Sequence, residues 1–295
     1  MNRHGLLSIT LRLALALGAA AAIAFALRPD LRAALLAELN DPAALPALEK
    51  DPRIHYQPQA RACADDVAAL LPAAMQRIET VQGRAFTKAP IIGVYDSYET
   101  YAHANGLNDS RIAAVMRAGR VLLSPTLCRE ERARLEGVLT HELSHVQFFG
   151  ARPRSAPRPP AWFTEGLAVM ASNGGGAESV SDAQARQALR DGSAVVLDAH
   201  AWTDFAAIRF VSEPVCASAC DRWTYRQRLA YRQAALFVAW LREQNPEGFK
   251  QLLRNLETGD DFEKSFAQSF GDTSQKCWSR FVAGIASSQS NVSPE

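Results

Sequence analysis

The stretch VLTHELSHVQFF, residues 138–149, places two histidines four positions apart, with a glutamate directly after the first. Residues i and i+4 lie on the same helix face, so His141 and His145 can both reach one metal ion. Glu142 lies at the edge of that face, displaced enough to miss the ion and reach a water bound to it. The alternative is an ordinary helix with two surface histidines. This spacing of two histidines and a glutamate arises by chance in on the order of one such chain in a hundred.

The residues around the two histidines are mostly apolar and follow a helical period. The pattern predicts a helix from about Glu130 to Phe149. Its apolar stripe consists of Leu135, Val138, Leu139, Leu143, Val146 and Phe149. Because burial of an unpaired imidazole is costly, and one metal ion satisfies both rings, this context favours metal binding.

A third ligand is expected in PAWFTEGLAVMAS, residues 160–172, since a catalytic zinc needs three protein ligands and one open position. A second helix is predicted from about Ala161 to just before the NGGG run at 173–176. Its carboxylate, Glu165, stands among apolar residues, where a charge requires a partner or a metal. The alternative is an exposed or salt-bridged glutamate at a helix N-terminus.

The rest of the chain predicts an α+β fold with a small N-terminal sheet and an all-α C-terminal lobe. Strands are predicted at 89–97 and at GRVLLSP, residues 119–125, and both precede a largely helical remainder. The folded domain is predicted at 51–288, with lobes of about 51–175 and 176–288. The net charge of the whole chain is +1, which gives no reason to expect a nucleic-acid partner.

The two chain ends are predicted to lie outside that domain. Residues 1–27 carry Arg3 and Arg12 and are uncharged from Leu13 to Leu27, which is typical of a signal peptide or an uncleaved membrane anchor. A buried N-terminal helix is the alternative. Residues 28–50 are predicted as a linker or helical stalk, and 289–295 as a disordered tail. Either export interpretation places the protein in the periplasm or elsewhere outside the cytoplasm, and an uncleaved anchor would hold it at the inner membrane.

Five cysteines fit an oxidising compartment, and an odd number leaves at least one thiol unpaired. Cys216 with Cys220, and Cys63 with Cys128, are the candidate pairs. The spacings do not match a zinc ribbon, so structural roles are expected for all five, including Cys277.

HExxH followed by a second helix with W-F-x-E-G-x-A resembles the gluzincin metallopeptidases, specifically the peptidase MA-like group. The resemblance covers roughly 51–286 and implies a zincin-like fold. It implies that zinc (Zn²⁺) is bound by His141, His145 and Glu165, with Glu142 as the general base. GRVLLSP resembles the edge strand that aligns substrate in such enzymes. Val169 occupies the position at which the thermolysin-like subgroup carries an aspartate that supports the ligands, so the partner that orients the histidines stays unidentified.

The activity that the resemblance implies is zinc-dependent hydrolysis of peptide bonds in a peptide or protein substrate, through a zinc-bound water activated by glutamate. Tyr231 is the first candidate for stabilising the oxyanion, followed by Tyr225 and His200. An exported zinc-binding module without catalysis, and a zinc hydrolase of a non-peptide amide such as one in the cell wall, are the alternatives. The basic, proline-rich loop at 150–160 is either a solvated connector or an element that favours acidic substrates.

Overall fold

A computed structural model describes residues 28–197, 208–216 and 221–287. The segment predicted as signal or anchor, 1–27, and the predicted tail, 289–295, lie outside these residues. Within the described part of the chain, no helix is both long and apolar enough to cross a membrane.

The N-terminal part is built on one mixed sheet of five strands. The strands are β1 (Ala47–Leu48), β2 (Asp51–Tyr56), β3 (Ile91–Val94), β4 (Ala114–Arg117) and β5 (Arg120–Leu123). Their order is β1-β2-β3-β5-β4. The pairs β2–β3 and β3–β5 are parallel, whereas β1–β2 and β4–β5 are antiparallel.

The expectation that GRVLLSP forms the edge strand is wrong, because β5 lies between β3 and β4. Ala118 and Gly119 have φ values of 50° and 79°. Two successive residues with positive φ match the right-handed twist of a tight hairpin, so the chain folds β4 back against β5. The edge strand is therefore β4, whose register pairs Met116 with Val121.

Eleven helices surround and follow the sheet within the described residues. The first five are α1 (Pro29–Leu39), α2 (Arg61–Gln82), α3 (Tyr98–Ala104), α4 (Pro125–Arg129) and α5 (Leu135–Gly150). The other six are α6 (Ala161–Ala171), α7 (Asp182–Arg190), α8 (Arg222–Gln244), α9 (Pro246–Thr258), α10 (Phe262–Phe270) and α11 (Ser274–Ser287). The predicted fold class is confirmed at this level: a mixed α/β chain whose C-terminal part is rich in helix.

Successive residues of a strand point to opposite faces of a sheet, and both faces are covered here. One face packs against α2 and α5 through Ile54, Ile92, Val94, Val121 and Leu123. The other face is covered more thinly, by Tyr101 and Ala104 of α3 around Leu122 and Tyr95. The helix with the two histidines is thus fixed directly on the sheet.

Residues 28–50 pack onto the sheet instead of forming a separate stalk. Helix α1 lies in this segment, but β1 also does, and Leu48 is fully buried. Asp41 pairs with Arg120 of β5 at 2.5 Å. Pro42 occupies the space beside Gly93, where an added Cβ would lie 2.6 Å from the proline Cβ. The sheet therefore begins before residue 51, the predicted start of the domain.

Helix α5 contacts two hydrophobic cores. Leu135, Val138, Leu139, Leu143 and Val146 belong to the core shared with the sheet and α2. Phe148 belongs to the C-terminal core, and Phe149 packs against the same core. The predicted apolar stripe is confirmed for five of its six residues, and Phe149 faces the other lobe.

Cys63 and Cys128 form the predicted disulfide, which joins α2 to α4 across 65 residues of sequence. Cys216 is also disulfide-bonded, whereas its predicted partner, Cys220, lies outside the described residues. Cys277 is a buried free thiol, as expected for the unpaired cysteine.

Replacing both Cys63 and Cys128 with alanine is expected to lower the free energy of unfolding by about 2–4 kcal/mol, because the disulfide restricts the unfolded chain. Urea denaturation of the oxidised proteins measures the loss. Either single replacement already breaks the bond, so each single variant should lose nearly as much as the double variant. Equal midpoints for the parent and the double variant would contradict a stabilising role.

Candidate metal site

Three side chains predicted as metal ligands converge at one point. Nε2 of His141 lies 3.2 Å from Nε2 of His145 and 3.2 Å from Oε2 of Glu165. Nε2 of His145 lies 3.6 Å from the same carboxylate oxygen. A tetrahedral ion with ligands at about 2.0–2.1 Å separates two ligand atoms by about 3.3 Å. The donor atoms therefore already have the spacing that a small tetrahedral cation requires.

Local sequence explains how two helices bring these groups together. The histidines lie one turn apart on α5, and the proline-rich loop that follows ends that helix and returns the chain as α6. Gly166, directly after Glu165, lies against α8, where an added Cβ would be 2.8 Å from the carbonyl carbon and oxygen of Ala234. Glycine thus lets α6 and α8 approach closely beside the site.

The electrostatics of the group favour a positive charge between the rings. His141 and His145 are buried, and the Glu165 side chain is 20 % exposed. Burial alone would lower the pKa of His141, but the Glu165 carboxylate raises that pKa to about 9. Burial would raise the pKa of Glu165, but the two imidazoles hold it below its ordinary value. Glu165 is therefore not an exposed glutamate; of that alternative, the salt-bridged form is the one that agrees with its contacts to the two histidines.

Glu142 is buried beside the predicted ligands and accepts a hydrogen bond from the edge strand. Burial raises the pKa of its carboxyl group above the ordinary value, and the neighbouring imidazoles and a backbone hydrogen bond from Met116 oppose that rise. The Met116 N–H belongs to β4, which places this strand next to the two histidines. Sequence reasoning missed this contact because it did not identify β4.

Tyr231 of α8 reaches the same cluster. Its ring is nearly parallel to that of His141, with the centroids 6.5 Å apart. Its hydroxyl forms hydrogen bonds with the side chains of Glu165 and Gln227, and burial raises its pKa well above the ordinary value. The hydroxyl therefore stays protonated and can act as a donor.

Tyr225 and His200 were the other two candidates for an oxyanion donor. Tyr225 is partly buried against the C-terminal core, where burial raises the pKa of its hydroxyl. His200 lies outside the described residues. Of the two candidates that the structure describes, Tyr231 is the one beside the predicted ligands.

The ring nitrogen of His141 that faces away from His145 and Glu165 contacts a backbone carbonyl group. Nδ1 of His141 lies 2.9 Å from the carbonyl oxygen of Gly175. Val169, at the position where a supporting carboxylate was sought, is 1 % exposed and lies in the C-terminal core. The only sequence signal for the Gly175 contact was the NGGG run at 173–176, which was interpreted as marking the end of a helix.

The basic loop is anchored to the C-terminal lobe. Arg152 is buried, donates hydrogen bonds to the carbonyl oxygens of Leu256 and Pro157, and stacks over Phe148. Arg154 and Arg158 are exposed. These contacts support the connector interpretation of residues 150–160.

No protein-family model, no curated protein and no solved structure matches this chain. The site itself therefore carries the functional argument: a mixed α/β fold holds His141, His145 and Glu165 in an arrangement that can bind a metal ion.

Proposed function

We propose that the protein is a zinc-dependent metallopeptidase. The observation that supports this proposal is the convergence of two imidazoles and one carboxylate with a second buried carboxylate, Glu142, directly beside them. A purely structural zinc site is closed by four protein ligands, whereas three ligands leave one position open for catalysis. The described donor set supplies three.

Zinc is the proposed metal because two histidine nitrogens and one glutamate oxygen form a ligand set that it accepts in tetrahedral geometry. When bound to His141, His145 and Glu165, it supplies Lewis acidity toward a carbonyl group and lowers the pKa of a water molecule.

Glu142 is the proposed general base and acid. It takes the proton from the attacking water and delivers it to the leaving amine. Its burial strengthens it as a base, while the Met116 N–H and the imidazoles favour its ionised form. A group balanced in this way can both accept and release a proton.

Tyr231 is the proposed donor to the substrate carbonyl oxygen as negative charge develops on it. Its hydroxyl is held between Gln227 and Glu165, close to the ligand atoms. Because its pKa lies well above the ordinary value, it donates a hydrogen bond without losing its proton.

We also propose that the protein acts outside the cytoplasm, in the periplasm or an equivalent compartment, with the N-terminal segment as signal or anchor. Two observations support this location. The apolar run from Leu13 to Leu27 is typical of export, and Cys63–Cys128 is a disulfide of the kind that persists in oxidising compartments.

The function is tested by metal analysis of the purified protein together with cleavage of a fluorogenic peptide library. About one zinc per chain is expected, with cleavage abolished by 1,10-phenanthroline and restored by added zinc. Bound zinc without cleavage of any peptide would contradict the peptidase proposal. Release of products from cell-wall amides in a parallel assay would then favour the non-peptide hydrolase. Absence of hydrolysis in both assays would favour the non-catalytic zinc-binding module.

A further inference from the structure

A short glycine-rich turn, residues 173–177, lies directly over the helix with the two histidines; we refer to it as the glycine loop. The Gly175 carbonyl oxygen, 2.9 Å from Nδ1 of His141, is its contact with the ligand set. A carbonyl oxygen can only accept a hydrogen bond, so this contact requires a proton on Nδ1. Nε2, which faces His145 and Glu165, is then the nitrogen that would bind a metal ion after giving up its own proton.

The absence of side chains makes this approach feasible. A Cβ on Gly175 would lie 2.0 Å from the carbonyl oxygen of Gly137 in α5. A Cβ on Gly176 would lie 3.0 Å from Nδ1 of His141 itself. Gly176 also has a φ of 82°, a backbone conformation that residues other than glycine rarely adopt. The loop backbone therefore reaches the ring only because glycine occupies these positions.

The glycine loop is fixed from the side of α8 by Arg232, the residue after Tyr231. Its guanidinium donates to the carbonyl oxygens of Ala177 at 3.0 Å and of Gly174 at 3.4 Å. It also pairs with Asp182 at 3.3 Å. A Cβ on Gly174 would lie 2.4 Å from a guanidinium nitrogen, so this glycine admits the arginine.

A second ion pair fixes the loop from the side of α5. The Gly176 N–H donates to the carboxylate of Glu178. Glu178 in turn lies 3.3 Å from the guanidinium of Arg134, the residue just before α5. The loop is thus held by Arg232 of α8 on one side and by the Glu178–Arg134 pair, next to the start of α5, on the other.

We infer that the glycine loop is the element that orients His141 for metal binding, through the Gly175 carbonyl, with Arg232 as the positioning residue that holds the loop in place. The inference rests on the proposed metal site. It identifies the Gly175 carbonyl as the group that holds the non-ligating nitrogen of His141. Such partners fix the tautomer and orientation of a ligand histidine, and their loss typically weakens metal binding 10–100-fold.

The first test compares two glycine replacements with the same backbone strain. Gly176→Ala places a Cβ against the His141 ring, whereas Gly192→Ala has its nearest neighbour, Ser212 Oγ, at 3.7 Å. The φ values are 82° and 83°, so both variants carry the same conformational cost. Zinc affinity, measured by competition with a chromogenic chelator, should fall about 10–100-fold in Gly176→Ala and stay unchanged in Gly192→Ala.

The second test acts through the arginine. Arg232→Met should also weaken zinc binding, whereas Arg226→Met, on the same helix, should not. The exposed fraction of the Arg226 side chain is 12 %, close to the 13 % of Arg232. Arg226 pairs with Glu213 and not with the glycine loop. Arg232→Lys should keep more of the affinity than Arg232→Met, since the lysine ammonium group keeps the positive charge and can still donate to the loop carbonyls.

Zinc affinity within twofold of the parent in both Gly176→Ala and Arg232→Met would overturn the inference while leaving the metal site intact. A parent protein that binds no zinc would overturn both. Zinc binding without peptide cleavage would overturn the proposed activity alone, since the affinity measurements do not depend on turnover.

Discussion

Replacing Glu142 with glutamine should leave about one zinc bound per chain and lower kcat for peptide hydrolysis by about 10²–10⁴-fold, the range that general acid–base catalysis contributes. Glutamine keeps the size of the side chain and can still accept the Met116 N–H, but it cannot take a proton from water. Since Glu142 is not one of the three converging ligands, the zinc content should not change.

The matched control is Glu136→Gln, which makes the same chemical change at an exposed position in the first turn of the same helix. Zinc content by mass spectrometry and initial rates on one fluorogenic peptide are measured for all three proteins. Full activity in Glu142→Gln would remove the general-base assignment, and loss of zinc would move Glu142 into the ligand set.

Replacing Glu165 with alanine should weaken zinc binding by more than about 100-fold, the upper end of the effect of losing only an outer partner. Two imidazoles alone bind the ion less well, and the negative charge that favours a cation between the rings is gone. Peptide hydrolysis should be lost with the metal.

Glu257→Ala is the control, because this carboxylate is exposed to a similar degree, 24 % against 20 %, and pairs with Arg84 instead of the histidines. Elemental analysis after dialysis and chelator competition give the comparison. Unchanged zinc content in Glu165→Ala would refute the ligand assignment even if activity fell.

The central helices and the cluster of His141, His145 and Glu165 could be predicted because their signals are local. His141 and His145 share a helix face by period alone, and the charge of Glu165 stands out among its apolar neighbours. Convergence of the triad then needed only an antiparallel return of the next helix. Tyr231 was reached through the family resemblance, and the structure places its ring beside His141.

Features that depend on tertiary contacts could not be predicted in the same way. Strand β4 is only four residues long, and its turn uses Ala118 at positive φ, a residue that carries no turn signal. Residues 28–50 read as a stalk because alanine and leucine favour helix regardless of what covers them. The Gly175 carbonyl was missed because every residue has such a group, so that only its place in the fold gives it a role.

Helix α5 contributes side chains to both hydrophobic cores, and the donor atoms lie where those cores meet. Recombination that exchanged either half of the chain for an unrelated module would remove the packing from one flank of the helix that carries His141 and His145. The arrangement therefore ties the evolutionary histories of the two halves to each other. Neither half is therefore an interchangeable unit.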